Sequence, residues 1–371
     1  MLKKRLYEKS VIGLMAVAVY LCMTVGHSTA IQDGQTIPEW KQRHPHMMNG
    51  IVKITPLGSQ AGEFCRNDRA MLFEDSTGLR ILYDPGRTID EDDPRLGAVH
   101  VLLLSSVHSD HIGDVKPNLN SPGTCASPNT VSAAPDSVTA AIVAKKKSAL
   151  FAGGEMFRFL AQKVANINGA PTASCPDSDT VNPLTLPLSA PCTGSLRPGG
   201  TRAVRLSGMP AMTITAFQAF HSNGIPASLV DAPGVAPGTT GYGGLDTGFA
   251  IAFTNGMHLF CTADSGPTVD YKFVVKDIYN PDVVVINMGD IDTFSPDLAA
   301  FVVNEWLQPN SVIPSHINQA ATTNGQATGY RLLKFLDRVN RKTDVVVPLS
   351  GVTREFNSFG RCVNCNDNRR N

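Results

Sequence analysis

The chain has 371 residues, enough for one large domain or two smaller ones, and 42% of them are hydrophobic, enough for a sizeable core. Its 32 basic and 32 acidic residues cancel, and no long basic stretch lies beyond the first 30 residues. That balance argues against nucleic acid as the main partner and leaves a small-molecule substrate as the expectation.

Residues 1–30 read as a secretory signal peptide. Lys3, Lys4, Arg5 and Lys9 form a positive region, Val11 to Val25 is an apolar run too short for a comfortable membrane span, and Ser28-Thr29-Ala30 supplies small residues for cleavage after Ala30. Cys22 lies in that run without the small neighbours that a lipoprotein signal needs. The expectation is an exported protein, periplasmic or extracellular, with no stable membrane anchor after processing; a retained N-terminal anchor is the alternative. Removing residues 1–30 takes away four basic residues and one acidic one, leaving 28 and 31 and a net charge of −3.

Residues 31–371 read as one domain. In the polar segment from 31 to 50, His44-Pro45-His46 reads as surface, because Pro45 holds the pair extended. Ile51 to Thr55 alternates as a strand. Met71–Glu74 and Leu79–Tyr83 read as a hairpin around Asp75-Ser76-Thr77-Gly78, followed by a turn at Asp84-Pro85-Gly86. Val99 to Leu104 is a continuous apolar run, read as a buried strand, and it delivers His108, Asp110 and His111 within four residues. Ile112-Gly113-Asp114 is expected to turn the chain into a helix.

Residues 117–205 are rich in Pro, Ser, Thr, Ala and Gly. They read as an insertion that shapes a substrate mouth, with helical patches at about 137–150 and 155–164. Strands are then expected at 212–217, 248–253, 259–262, 282–288, 312–316 and 344–349. The Asn255-Gly256 pair is a hairpin turn, Ser295-Pro296 starts a helix running to about Leu307, and a last helix covers 329–338. Of the seven cysteines after residue 30, Cys261 sits in an apolar run and reads as a buried free thiol. The other six form an even set, with Cys175 and Cys192 the expected pair across a Pro-rich loop and Cys362-x-x-Cys365 a structural disulfide end, a redox or zinc pair being the alternative.

Four separate strands thus end in a metal-ligand type of residue: His108/Asp110/His111, His221, Asp264 and His316. Imidazole and carboxylate are the usual ligands of zinc and its neighbours. Each residue is weak evidence singly, since a lone His after a strand is more often structural and Asp264 before Ser265-Gly266 could be a turn former. Four such coincidences carry more weight.

Ser106-Val107-His108-Ser109-Asp110-His111 resembles the His-x-His-x-Asp-His signature of the metallo-β-lactamase superfamily, with Ser106 in the first His slot. Ile81 to Gly86 looks like the strand and turn before that signature, and Ala263-Asp264-Ser265-Gly266 like its Gly-Asp-Thr-Gly element. Gly289 to Pro296 and Ile313 to His316 resemble the closing region of the L-ascorbate-6-phosphate lactonase-like branch. The resemblance implies an α+β protein, a four-layer αβ/βα sandwich. It also implies one or two metal ions per chain, Zn²⁺ or alternatively Mn²⁺ or Fe²⁺. Ser106, His108 and His221 fall on the first metal site, Asp110, His111 and His316 on the second, with Asp264 between them and Asp110 orienting the attacking water. The implied activity is hydrolysis of an ester, lactone or phosphoester by metal-bound hydroxide. The alternative is a catalytically silent relative acting as an exported binding protein.

Serine is a poor ligand, so the expectation is one ion held firmly by the second set and a weak or empty first position. His100 is six residues upstream of Ser106 on an extended strand, about 20 Å away, and cannot supply the missing nitrogen. His44 or His46 folding back is the remaining route.

Overall fold

The computed structural model describes residues 50–225, 229 and 241–365, and the backbone of 30–32 and 35–37. Most of the expected signal peptide (residues 1–29, with Cys22) and both His44 and His46 lie outside the described residues. Ala30–Gln32 pairs antiparallel with Gln35–Ile37 within an N-terminal unit, residues 1–48.

The larger unit, residues 49–371, holds two eight-stranded sheets. In chain order the elements are β1 (Val52–Pro56), β2 (Met71–Glu74), β3 (Arg80–Tyr83), β4 (Val101–Leu104), α1 (Ser109–Ile112), α2 (Val138–Lys146), β5 (Ala149–Ala152), α3 (Met156–Asn168), β6 (Ala173–Ser174), β7 (Leu184–Leu186), β8 (Cys192–Ser195), β9 (Thr201–Leu206), β10 (Met212–Gln218), β11 (Thr247–Ala252), β12 (His258–Cys261), the π-helix α4 (Tyr271–Tyr279), β13 (Val283–Asn287), α5 (Pro296–Phe301, continued as a π-helical stretch Val302–Leu307), β14 (Ser311–Ser315), α6 (Tyr330–Arg338), β15 (Asp344–Val345) and β16 (Arg354–Phe356). The first sheet runs β6-β8-β5-β4-β3-β2-β1-β16 and the second β7-β9-β10-β11-β12-β13-β14-β15.

The four layers follow from side-chain alternation. In β4, Val101 and Leu103 face the second sheet, where they join Phe249, Ile251, Leu259 and Val285 in one core. Leu102 and Leu104 face outward and pack with Ile142 and Val143 of α2 and Leu160 of α3. This is why the run is apolar throughout: β4 lies between parallel β3 and β5 and is covered on both faces. The second sheet repeats the pattern, with Phe260, Val284, Ile286 and Val312 covered by Tyr271, Val275, Ala299, Leu332 and Phe335 of α4 to α6. Each buried Val, Leu, Ile or Phe side chain among these stabilises the fold by about 1.5–3 kcal/mol. The Ser295 hydroxyl caps α5 by accepting from Leu298 N–H, with Pro296 in the first turn.

Four sequence expectations need correction. Residues 117–205, read as an insertion, are woven into the fold: β5, β6 and β8 extend the first sheet, β7 and β9 the second, and α2 and α3 cover the first sheet's outer face. Their small-residue composition disguised short strands that are buried where they pack. The patch at 137–150 is a helix only to Lys146; Lys147 turns the chain left-handed and Ala149 enters β5. The helix expected after Gly113 precedes it, because Gly113 adopts a left-handed conformation that ends α1. The strand expected over 344–349 is regular only at Asp344–Val345.

Disulfides join Cys175 to Cys192, Cys362 to Cys365 and Cys65 to Cys125, while Cys261 is a buried free thiol. Among the described residues, no helix is long and apolar enough to cross a membrane.

Candidate metal centre

Loops from both sheets meet at one edge of the sandwich. Asp84 follows β3, the stretch Ser105 to His111 follows β4, His221 follows β10, Asp264 follows β12 and His316 follows β14. Asp246 immediately precedes β11, and Arg69 lies just before β2. These last two strands run antiparallel to their neighbours, Met71 opposite Tyr83 and Thr247 opposite Gln218, so their starts lie at the edge where β3 and β10 end. A main-chain bond ties the sheets together here: Thr247 N–H donates to the Ser105 carbonyl at 2.9 Å.

The six residues singled out in the sequence converge and form two groups. Asp110, His111 and His316 make one; His108, His221 and Asp246 make the other, with the ligand atoms inside each group within 4.8 Å of one another. Asp264 lies between them, its Oδ2 2.8 Å from His111 Nε2, 3.3 Å from His316 Nε2 and 3.9 Å from His221 Nε2. The His108 and His221 rings lie 4.8 Å apart, edge to face, and His108 Nε2 is 3.3 Å from Ser222 Oγ. Ser106 is fully buried, and its hydroxyl accepts from the His108 amide at 3.1 Å. The serine therefore shapes the loop that presents His108.

Four contributors escaped the sequence reading. Asp84 accepts from Ser105 N–H at 2.8 Å and from Ser105 Oγ–H at 2.6 Å, and its Oδ2 is 2.9 Å from His111 Nδ1. It thereby fixes that ring's orientation. Asn287 donates to Asp264 Oδ1 at 2.8 Å. Arg69 is buried and its guanidinium contacts Asp110 Oδ2 and, at 2.9 Å, His316 Nε2. It reaches them past Gly86, where a Cβ would come 2.9 Å from the Asp110 carbonyl and 3.1 Å from Arg69 Cγ. Asp246 is 1% exposed, and among the described residues neither carboxylate oxygen has a hydrogen-bond partner of acceptable geometry, although the Ser106 hydroxyl is near enough to ease its charge.

These surroundings set the charges. Burial alone would raise the Asp110 carboxyl, but Arg69 and then His316 and His111 outweigh it and hold Asp110 well below the usual carboxylate range. Burial likewise acts against the Asp264 carboxylate, and His111 and His316 outweigh it with the same result. The His111 imidazole, pushed down by burial, is lifted well above its ordinary value by Asp264 and Asp84. Burial lowers His108, and His221 adds to that. Asp246 stands apart: burial raises its carboxyl to about 8, and the nearby carboxylates add to the effect. Backbone strain also gathers here, with Asp84, Ala263 and His316 at φ 41°, 57° and 48°.

The donor set suits a divalent metal. Imidazole nitrogens and carboxylate oxygens converge from distant parts of the chain, and a buried carboxylate without a partner is costly unless a cation meets it.

No family model matches the sequence. It is 31% identical over 186 residues to a "UPF0173 metal-dependent hydrolase" of Polynucleobacter asymbioticus, covering 48% of this chain and 59% of that protein. A similarly named protein of Polaromonas sp. is 30% identical over 136 residues, 37% of this chain and 48% of that one. The chain thus spans between about half and three-fifths of the length of these two relatives. Another so named, from Cupriavidus taiwanensis, is 25% identical over 263 residues, 71% of this chain and 73% of that protein. Among solved structures, Igni18, a metallo hydrolase of Ignicoccus hospitalis, superposes with a TM-score of 0.50 at 18% identity, over 82% of this chain and 98% of that one. The chain has the metallo-β-lactamase fold, an α+β four-layer sandwich, and is similar in sequence to proteins named metal-dependent hydrolases.

Proposed function

We propose that the chain is an exported metal-dependent hydrolase acting on an ester, lactone or phosphoester. The observation that carries this reading is the convergence of His108, Asp110, His111, His221, Asp264 and His316 from four loops of two sheets onto one edge. A divalent ion, Zn²⁺ or one of its neighbours, would be held by imidazole and carboxylate from this set, and it supplies a Lewis acid and an acidified water.

The chain's own groups do the positioning. Asp84 and Ser105 lock His111, and Asn287 holds Asp264 so that its Oδ2 faces the imidazoles. Asp110, its side chain 27% exposed, is open to solvent while Arg69 keeps it ionised. It is placed to accept a hydrogen bond from the attacking water and orient it. The likeness of residues 289–296 and 313–316 to the lactonase-like branch supports a lactone or a phosphorylated ester among the substrates. Export rests on the charged, apolar and small-residue succession before Ile31, and the three disulfides fit an oxidising compartment.

The test is turnover of an ester, lactone and phosphodiester panel by purified protein with Zn²⁺ or Mn²⁺, repeated after chelation and with Asp264→Ala. Turnover lost in both treatments supports the reading. Turnover that survives both places the chemistry elsewhere, and bound metal without turnover on any substrate favours the exported binding protein.

A further inference from the structure

The two ligand groups differ in how their polar atoms are satisfied. Asp110, His111 and His316 are already closed on one another and on their neighbours. His111 is hydrogen-bonded to Asp84 on one side and Asp264 on the other, and His316 Nε2 lies 3.2 Å from Asp110 and 3.3 Å from Asp264. A permanent cation, the Arg69 guanidinium, sits against Asp110 and His316. A metal ion sharing those two ligands would stand within a few ångströms of that guanidinium, where like charges repel strongly.

The other group is the reverse. Among the described residues, Asp246 is buried with no well-formed hydrogen bond on either oxygen, only the Ser106 hydroxyl lying nearby, and two imidazoles, those of His108 and His221, lie within ligand reach of it. Asp246 enters from the second sheet beside the slot in which the first sheet carries Ser106, held there by the Thr247–Ser105 main-chain bond. Resting on the metal-dependent reading above, we propose that Asp246 replaces the missing first-motif imidazole. His108, His221 and Asp246 then form the tight metal site, and Arg69 takes the place of a second ion. Two imidazoles and one carboxylate are a sufficient ligand set for Zn²⁺ or Fe²⁺ with a position left open, and His108 and His221 are both partly exposed. This reverses the expectation from sequence, which puts the firm ion on Asp110, His111, Asp264 and His316.

The test is metal binding by the full-length processed protein, read as equivalents of Co²⁺ or Zn²⁺ retained after dialysis and as the visible d–d spectrum of the Co²⁺ form. The wild type should retain one equivalent. Asp246→Asn, nearly isosteric, should bind at least ~100-fold more weakly, beyond the ~10–100-fold that losing an outer partner costs, and its Co²⁺ spectrum should change. His316→Gln should retain the ion with its spectrum little altered. Because Asp246→Asn could also disturb folding, the double variant Ser106→His/Asp246→Ala provides a second arm. Restoring the imidazole should recover an equivalent that Asp246→Ala alone loses. Retention of metal by Asp246→Asn together with its loss from His316→Gln would overturn the assignment while leaving a metal-dependent enzyme. A wild type that binds no Co²⁺ or Zn²⁺ would overturn that reading itself, and the assignment with it.

Discussion

Asp246 stands beside Ser106 because the residues next to them are joined main chain to main chain, Thr247 N–H to the Ser105 carbonyl at 2.9 Å. One sheet carries a serine in the position proposed above for the missing imidazole, and the other brings a carboxylate beside it. The serine is not idle, since its hydroxyl holds the His108 amide.

Arg69→Gln tests whether the guanidinium stands in for an ion. The variant should retain nearer two metal equivalents after dialysis where the wild type retains one. It should also lose about 1–3 kcal/mol of stability, because Asp110 and His316 lose a charged partner. Unchanged metal content, measured by elemental analysis, would mean that the guanidinium does not decide occupancy.

Asp84→Asn separates ring positioning from metal holding. Asparagine tolerates the left-handed backbone at this position, φ 41°, and can still accept from the Ser105 amide. Its amide nitrogen cannot accept from Ser105 Oγ or from His111. Urea unfolding should show a loss of about 1–3 kcal/mol. Metal stoichiometry should stay at one, and turnover should fall.

His100 gives the fold an acid-sensitive point far from the metal centre. Its Nδ1 accepts the Arg80 amide at 3.0 Å, and burial, then Arg80, lowers its pKa. The fold thus favours the neutral ring, whereas the unfolded chain takes up a proton near the ordinary value of about 6.5. The stability His100 contributes is therefore present above about pH 6.5 and is lost as pH falls below it. His100→Asn, which keeps an acceptor, should flatten that acid limb when urea midpoints at about pH 5 and about pH 8 are compared. A limb of unchanged slope would assign it to other groups.

Export predicts a mature chain beginning near Ile31. Intact mass and N-terminal sequencing of secreted material check this directly. A secreted chain that retains Lys3 to Arg5 would instead indicate an uncleaved anchor.

The legible part of the molecule was the part written in long apolar runs and in residues that follow them. β4, β12 and β14 are apolar and buried along most of their length, and their C-terminal ends announce His111, Asp264 and His316. Arg69 and Asp246 were illegible for a topological reason. They precede antiparallel strands, so they reach the same edge from the opposite direction, and no local pattern marks which strands run backwards. A carboxylate inside the Gly- and Thr-rich stretch 238–248 was the only available hint of Asp246. The strands of residues 149–206 were missed because Ala, Gly, Ser and Thr fill positions such as Ala149, Gly194 and Thr193 that are buried all the same.

The bond between Thr247 and Ser105 also dates the metal centre within the life of the chain. His108 comes from one sheet, His221 and Asp246 from the other, so the first third of the polypeptide carries one imidazole of this group and no carboxylate from it. Metal uptake must wait until both sheets have formed and docked. A chain that crosses a membrane unfolded, as the proposed signal peptide implies, leaves cytoplasmic ions behind. Which metal it carries is then decided by the ions available where it folds, more than by the intrinsic ranking of its ligands.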